Sequence, residues 1–449
     1  MSKLQKIRKS NAWSLGLLLN SALVGHGMAQ QADTNAQMLG LEEVVVTATK
    51  RGGMAIQDVP FAVQSLDGQA LSSRGAVDFN DYFRLVPGLA VFDQGPGDKR
   101  IILRGVNSVG AGTVGLYLDE VIITGENAQD GGGRQPDIKL FDIDRVEVLK
   151  GPQGTTFGSS SMSGSNRYIT RKPESDEING YVSADLRQTE NASLGWSAEA
   201  AINVPIIEGK AAIRVAGTYF SNQGYIDNQV IKGADSEETG AVRALLRLTP
   251  TDDLTIDLMA MYQDLETDGP SFFNRVDLFG NPLSTDSDQL ESADVTEAPF
   301  SDEIQAYNAT IEYRMDHGSV TGTASFFSRD TVFNRDSSGA LAAFIGADPL
   351  TNGRSVITQP KDRELQTYEL RYASNWEWPV QVLAGVFYQS EDRFFRSAIL
   401  SASTGTIDDD PMAFLDRTVS TSVDEVAFFG EVSIDLTDSL TITGGIRYF

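Results

Sequence analysis

Few residue types in this sequence could support covalent catalysis or metal binding. The 449 residues contain no cysteine and two histidines, His26 and His317, so the sequence offers no thiolate nucleophile and no multi-histidine metal or haem centre. Residues 110–115 fit the spacing G-x-G-x-x-G, but a strand-like run follows them instead of a helix, which argues against dinucleotide binding. Residues 159–161 lack the serine nucleophile frame G-x-S-x-G, and residues 408–410 lack the spacing of an EF-hand loop. We therefore predict neither an enzyme nor a cofactor.

Residues 41–49 follow a polar tail and are rich in β-branched side chains. An extended segment of this composition is suited to backbone hydrogen bonding along the sheet edge of another protein. Each such hydrogen bond contributes about 0.5–1.5 kcal/mol net, so the pairing would be reversible. The alternative is that this run forms the first strand of the domain that follows it.

Charged side chains and glycines interrupt the apolar runs of residues 41–173. We expect Arg104, Arg145 and Glu147 to pair with one another or with charged residues further along the chain, such as Arg243, Arg247, Glu369 and Arg371. The alternative is that water solvates them. Four glycines are predicted to occupy tight turns or positive φ, where backbone passes close to backbone: Gly105, Gly151, Gly154 and Gly158.

The composition indicates an acidic, exported protein. There are 36 Lys+Arg against 62 Asp+Glu, a net charge of -26, which argues against nucleic acid as a partner because phosphate contacts need a basic surface. Residues 3–9 are basic, residues 13–24 are apolar, and Ala29 is the small residue that signal peptidase requires. We predict a signal peptide at residues 1–29, the alternative being a short N-terminal helix. Beyond it no apolar run reaches about 18 residues, so any membrane span must consist of strands.

From residue 176 onward, segments of about ten residues alternate apolar and polar side chains, the pattern of a transmembrane barrel wall. In the clearest segment Val426, Phe428 and Val432 share one face, and Glu425 and Glu431 share the other. Several apolar faces end in a tyrosine, which is typical of the membrane interface: Tyr219, Tyr262, Tyr313 and Tyr388.

The lengths of the links favour a barrel over a soluble β-sandwich. Short links at residues 250–253, 315–318 and 437–439 alternate with long acidic links at residues 264–303 and 390–423. Bacterial outer-membrane barrels have short turns at one rim and long loops at the other. A soluble sandwich, the alternative, would share the alternating strands but need not sort its links by length.

About eleven strands can be counted, an odd number that a closed bacterial barrel does not have. A barrel of ten or twelve strands would also be too narrow to enclose the preceding domain. Phe449 falls on the inner parity of the last strand, which suggests that the sequence stops within that strand. We therefore expect the chain to hold the first half of a larger barrel.

Several sequence blocks resemble the TonB-dependent outer-membrane receptor family. Residues 41–50 are similar to its TonB box, the segment that couples the receptor to the energy-transducing protein TonB. The blocks of the plug domain stand at residues 59–63, 85–89, 102–106, 116–121, 143–158 and 167–173. Phe157 and Asn166 depart from the usual residues of these blocks.

The resemblance implies an α+β plug followed by an antiparallel transmembrane β-barrel, truncated here from 22 strands to about eleven. The implied domains are a signal peptide (1–29), a flexible tail with the TonB box (30–52), the plug (53–175) and the N-terminal half of the barrel (176–449). The implied TonB-binding residues are Glu43, Val44, Val45, Val46, Thr47 and Ala48. The implied structural and gating residues of the plug are Arg104, Gly105, Asp119, Arg145, Glu147, Gly151, Pro152, Gly154 and Gly158.

The resemblance further implies energy-coupled uptake of a scarce ligand, most often a ferric siderophore. The expected partners are TonB, outer-membrane lipid and that ligand, and the expected location is the bacterial outer membrane. A siderophore already chelates its iron, so the protein needs no metal ligands of its own. Two alternatives remain open, a passive pore or ligand-binding surface barrel and a secreted soluble enzyme.

Overall fold

A computed structural model describes residues 45–47, 49–108, 112–125, 134–158, 160–272, 292–346, 353–437 and 439–449. The predicted signal peptide lies outside these residues, as do Glu43, Val44 and Ala48 of the predicted TonB box. Within the described ranges no helix combines the length and the apolar character needed to cross a bilayer.

The described residues up to Thr170 form an α/β domain, here called the plug. Its strands are β1 (Val45–Val46), β2 (Met54–Ala55), β3 (Ala62–Asp67), β4 (Leu89–Asp93), β5 (Lys99–Leu103), β6 (Val114–Leu118), β7 (Val121–Ile122), β8 (Ile143–Lys150) and β9 (Gly164–Thr170). Its helices are α1 (Gly68–Ser72), α2 (Phe79–Tyr82), a 3₁₀ turn (Phe83–Leu85) and α3 (Gly154–Phe157).

A five-stranded sheet in the order β3-β8-β9-β6-β7 forms the centre of the plug. Strands β6 and β9 run parallel, and the other neighbours run antiparallel. Every residue of β6 and of β9 is buried, as expected for a sheet that is covered on both faces. The two-residue strand β7 lies at one edge of this sheet, where it pairs with β6.

The described residues after Thr170 form eleven further strands, β10 to β20, in a single antiparallel sheet that follows chain order and is here called the wall. Strands β10 and β20 are its edges, so these residues form an open sheet. The strands are β10 (Asn179–Arg187), β11 (Gly195–Ile207), β12 (Ala211–Asn222), β13 (Glu237–Thr251), β14 (Leu254–Thr267), β15 (Phe300–Met315), β16 (Gly318–Asp336), β17 (Ser355–Ser374), β18 (Val380–Ser401), β19 (Ala413–Thr437) and β20 (Leu440–Tyr448).

The two faces of the wall differ as the alternation predicts. On β19, Val426 and Phe428 face outwards and are 51% and 60% exposed. Ala427 and Phe429, which alternate with them and face inwards, are 0% and 5% exposed. The inner face packs on the plug in one apolar cluster, to which the wall contributes Leu245, Met259, Met261, Ile304, Phe327 and Leu365. The apolar residues of the outer face have no such cover.

The links sort by length as predicted, with corrections to their bounds. The short-link rim carries residues 208–210, 252–253, 316–317 and 375–379. The long-link rim carries residues 188–194, 223–236 and 402–412 and the described parts of the links 268–299 and 337–354. The link predicted at residues 390–423 is mostly strand, because β18 continues to Ser401 and β19 begins at Ala413. Polar residues on the outer face end the hydrophobic alternation there, while the backbone ladder continues. The link at 337–354 also holds helix α4 (Ser338–Ile345).

Candidate functional site

The N-terminal segment, residues 45–52, is docked on the plug. Val45 and Val46 pair with Ala55 and Met54 in a short antiparallel ladder. Val46 is fully buried in an apolar cluster with Val59, Leu149 and Phe157, among others. In the described residues this run therefore pairs within its own chain, as the alternative interpretation expected, and its binding to another protein stays a prediction.

Glu147 is fully buried and joins this segment to the central sheet. Its Oε1 accepts the Thr47 backbone N–H at 2.9 Å and Arg145 Nε at 2.8 Å, while its Oε2 accepts Arg167 Nη1 at 2.9 Å. Arg167 also donates to the Thr47 hydroxyl at 3.0 Å. The predicted pairing of Arg145 with Glu147 is present, and the two guanidinium groups offset the cost of burying the carboxylate.

The segment is also bound to the wall. Lys50 Nζ lies 2.8 Å from Glu369 on β17, and Arg51 lies 3.1 Å from Glu431 on β19. Arg371, the neighbour of Glu369 on the inner face of β17, bridges to Glu369 at 2.8 Å. Both wall residues were among those predicted to meet plug charges. Arg247 was predicted wrongly, because it pairs with Asp257 on the adjacent wall strand.

Asp119 and Glu120 form the turn between β6 and β7. Asp119 has a φ of 51° and accepts the Thr170 backbone N–H at 3.0 Å, and it lies 2.8 Å from Lys172. Glu120 bridges to Arg371 on the wall at 3.1 Å. Burial on its own would raise the pKa of both carboxyls, but Lys172 lowers the pKa of Asp119 and Arg371, with other cations, lowers that of Glu120 well below its usual range.

The remaining predicted plug residues have conformational roles or lie at the surface. Arg104 is exposed and forms no ion pair among the described residues, so the expectation that it pairs is wrong and water solvates it. Its φ is 55° and its backbone N–H donates to Gly88 at 2.7 Å, which fixes a turn after β5. Pro152 is exposed.

Three of the four predicted glycines have positive φ, namely Gly105, Gly151 and Gly158. At Gly158 a Cβ would lie only 3.2 Å from the Arg447 guanidinium of the wall. The prediction is wrong for Gly154, which begins helix α3 without positive φ and with open space at its Cβ position. A helix start needs no special backbone freedom.

A second contact between plug and wall lies on β11 to β13. Arg243 was predicted to meet plug charges and instead binds plug carbonyls, and the roles of Asp142 and Arg214 were not anticipated. Asp142 has a φ of 48° and accepts two hydrogen bonds from Arg214, at 2.8 and 2.6 Å, while its backbone N–H donates to Glu199 at 2.8 Å. Arg243 donates to the carbonyls of Phe141 and Asp142 at 2.8 and 2.7 Å. The available signal was an arginine on the inner parity of each of two adjacent wall strands.

A basic pocket lies towards the long-link rim, between the plug and strands β15 to β17. Four cationic side chains line it together with uncharged residues: Arg134, Arg329, Lys361 and Arg363. Arg329 binds both carboxylate oxygens of Asp302, at 2.8 and 2.6 Å, and reaches the Arg134 carbonyl at 2.8 Å. Residues from five stretches of chain meet here, so the sequence pattern did not predict the pocket.

The contacts described above hold the plug against the wall by ion pairs and place four cationic side chains towards the long-link rim. Within the described ranges, no group of three or more His, Cys, Asp or Glu is placed to hold a metal ion. His317 is exposed in the two-residue turn between β15 and β16, as predicted.

Known proteins resemble this chain both in its plug region and along most of its length. A family model described as the TonB-dependent receptor plug domain matches residues 55–165. The pesticin receptor of Yersinia pestis is 24% identical over 436 residues, which make up 94% of this chain and 58% of that protein. The chain thus spans somewhat over half the length of this curated relative.

Solved structures share the fold at low sequence identity. The ferric yersiniabactin uptake receptor FyuA of Yersinia pestis superposes with a TM-score of 0.68 at 20% identity, covering 86% of this chain and 56% of that one. The ferripyoverdine receptor of the outer membrane of Pseudomonas aeruginosa superposes with a TM-score of 0.68 at 15% identity, covering 90% and 53%. The chain therefore contains a region that matches the TonB-dependent receptor plug domain, and it shares the fold of these two receptors.

Proposed function

We propose that the protein resides in the outer membrane and imports a ferric siderophore by energy-coupled transport. The match to the plug domain of TonB-dependent receptors supports transport in place of catalysis. The names of two similar structures, a ferric yersiniabactin uptake receptor and a ferripyoverdine receptor, support a ferric chelate as ligand. The short-link rim would then face the periplasm and the long-link rim the cell exterior. The predicted signal peptide supports export.

The charge distribution supports an anionic chelate. The protein carries a net charge of -26, yet four cationic side chains line one pocket at the outer end of the plug. Two of these guanidinium groups are held in place by carboxylates, Arg329 by Asp302 and Arg363 by Glu391. Cations that ion pairs hold in place inside a pocket attract an anionic ligand more strongly than solvated surface cations do.

The position of the N-terminal segment supports coupling through TonB. The proposed partner-binding residues are Glu43, Val44, Val45, Val46, Thr47 and Ala48. Thr47 is hydrogen-bonded to Glu147 of the plug, and Lys50, three residues on, is bound to Glu369 of the wall. A pull on this strand therefore acts directly on both plug and wall. This double attachment is the observation on which the proposal chiefly rests.

A proline at Val45 tests this proposal in the full-length protein. Val45→Pro removes a backbone donor and so weakens pairing with a partner strand. Whole-cell uptake of radioactive iron from a panel of ferric siderophores should fall at least about tenfold, while binding of the same chelates to the cell surface survives. Val45→Ala keeps the donor and serves as the matched control, with near-normal uptake.

Unchanged uptake in Val45→Pro would contradict energy coupling at this segment and would favour a passive pore. Retained surface binding shows that the variant is folded and inserted, so that loss of uptake is not a loss of protein.

A further inference from the structure

Five charged side chains meet between the plug and the wall near the long-link rim and are here called the charge cluster. Four belong to the plug and one is the first residue of β13, and they are Asp78, Lys99, Asp137, Lys139 and Glu237. Asp78 is partly exposed, and the other four are buried. Charged side chains are almost never buried unless they are paired, so the pairing within the cluster decides its properties.

Each of the two lysines is shared between carboxylates. Lys99 Nζ lies 2.5 Å from Asp137 Oδ2 and 3.3 Å from Asp78 Oδ2. Lys139 Nζ lies 2.5 Å from Glu237 Oε1 on the wall and 3.8 Å from Asp78 Oδ2. Lys139 is therefore the cation of the cluster that joins the plug to β13, and Asp78 interacts with both lysines.

The charges of the cluster do not balance. Three carboxylates face two ammonium groups, so one negative charge is in excess when every member is ionised. Two further charged groups lie at the edge of the cluster. Asp93 is exposed, whereas Arg187 is half-buried and lies 4.9 Å from the centre of the Phe220 ring, over which Lys139 Nζ also lies. Water screens both edge groups. An uncompensated buried charge is costly, which favours the uptake of one proton.

Asp137 is the member best suited to carry this proton. Its Oδ2 accepts a hydrogen bond from Lys99, whereas its Oδ1 is buried and has no hydrogen-bond partner among the described residues. Burial raises the pKa of Asp137 to about 6, while the lysines oppose the rise and Asp78 and Glu237 add to it. Burial acts on Asp78 as well, but there the lysines outweigh it and lower the pKa. Burial raises the pKa of the nearby Tyr168, which stays neutral.

We propose that the charge cluster binds one exchangeable proton, carried by Asp137, and that loss of this proton weakens the contact of the plug with β13. When Asp137 is protonated, Lys99 pairs with Asp78. Lys139 then pairs with Glu237, and two cations face two anions. When Asp137 is ionised, three carboxylates compete for two lysines, and Lys139 is drawn away from Glu237. The proton is exchanged with water at the partly exposed side of the cluster, where Asp78 lies.

Infrared spectroscopy of the purified full-length protein in detergent tests the proton site, because a protonated carboxyl has a carbonyl band that a carboxylate lacks. Spectra from about pH 4.5 to about pH 8 span the raised pKa of Asp137. Asp137→Asn removes the titrating group and keeps its shape. Asp144→Asn is the matched control, since Asp144 is about half exposed and lies outside the charge cluster.

We expect the parent and Asp144→Asn to show a carboxyl that loses its proton near pH 6 and that is absent from Asp137→Asn. Glu237→Gln leaves two carboxylates against two lysines, so the same carboxyl should lose its proton at a pH at least about one unit lower. This variant tests the charge imbalance from the wall side even if Asp137→Asn does not fold. A band that persists in Asp137→Asn, or a midpoint that Glu237→Gln leaves unchanged, would overturn the proton site.

Hydrogen exchange at the Lys139 backbone N–H measures the effect on the contact between plug and wall. This group donates to Gln263 of β14, the strand adjacent to β13, at 3.1 Å. After correction for the intrinsic pH dependence of exchange, its rate in the parent should be about tenfold higher at about pH 8 than at about pH 5. In Asp137→Asn the two rates should agree within about twofold. Equal rates in the parent would contradict the weakened contact. Neither measurement involves a siderophore, so a failure of the proposed uptake leaves this inference standing.

Discussion

Glu147 is the residue at which the N-terminal segment, the central sheet and two arginines meet. A fully buried carboxylate is stable only when paired and hydrogen-bonded, and here its partners are Thr47, Arg145 and Arg167. The same carboxylate therefore satisfies the plug interior and holds the segment that we propose TonB binds. At this position the stability of the plug and the proposed coupling to TonB depend on one side chain.

Glu147→Gln should destabilise the plug by about 3–5 kcal/mol, because it removes the buried anion that binds both the buried Arg167 and the partly buried Arg145. The residues around Thr47 should become accessible to protease in the purified full-length protein, and the unfolding temperature should fall. Asp144→Asn removes the other carboxylate that is bonded to Arg145. The Asp144 side chain is about half exposed, so this substitution should cost under about 1 kcal/mol. Equal effects of the two substitutions would contradict the role assigned to Glu147.

At the scale of elements, the β6–β7 hairpin depends on two adjacent carboxylates of its turn. Asp119 binds within the plug to Thr170 and Lys172, and Glu120 binds across to Arg371 of the wall. The pKa of each is lowered, since the neighbouring cations outweigh burial. Both carboxylates consequently remain charged in acid that protonates ordinary carboxyl groups.

The lowered pKa of Glu120 gives a pH prediction for the full-length protein. In the unfolded chain this carboxyl takes up a proton near its ordinary pKa of 4.5, whereas in the folded protein it does so at much lower pH. Its stabilising contribution is therefore complete above about pH 4.5 and is lost as the pH falls through the lowered pKa. At pH 7 the free energy of unfolding of the parent should exceed that of Glu120→Gln by about 2 kcal/mol. The parent should therefore unfold at a higher temperature.

The difference between parent and Glu120→Gln should shrink progressively as the pH falls below about 4.5, and thermal unfolding in detergent from pH 7 to pH 2.5 measures it. A difference that grows as the pH falls below about 4.5 would contradict the sign of the pKa shift.

At the scale of the whole molecule, the wall exposes an apolar outer face that requires lipid if the protein spans a membrane. Leu370 on β17 is 54% exposed, and Tyr368 and Tyr388 stack beside it. Glu364 lies six residues away on the same strand and the same face, beyond these tyrosines. The outer face therefore passes from apolar to acidic along a single strand.

Leu370→Arg should cost about 2–4 kcal/mol because it places a charge in the hydrocarbon layer. Glu364→Arg, on the same face nearer the long-link rim, should cost about 0–1 kcal/mol. The yield of folded, heat-modifiable full-length protein in outer-membrane fractions measures both. Similar yields of the two variants would argue against a lipid-facing wall.

The sequence predicted those features that depend on local periodicity. Alternation identified the faces of β19, and link lengths identified the two rims, because both depend on neighbouring residues. The pairing of Arg145 with Glu147, two residues apart on one strand, was predicted for the same reason. The contact of Asp142 with Arg214 and the basic pocket were missed because they join residues far apart in the chain. The ends of β18 and β19 were predicted wrongly, because the backbone pairing of these strands continues beyond the point where the alternation of apolar and polar residues stops.

The great length of β18 and β19 has a consequence for what first meets the protein from outside. Strand β19 has 25 residues, roughly 80 Å of chain at about 3.3 Å per residue, and a tilt of about 45° leaves roughly 55 Å of height against an apolar band of about 25 Å. In a membrane, this stretch of the wall would therefore extend about 30 Å beyond the apolar band of the bilayer. Bulky particles such as antibodies or phage would contact the outermost link, residues 402–412. Small solutes could pass inside the wall and reach the basic pocket.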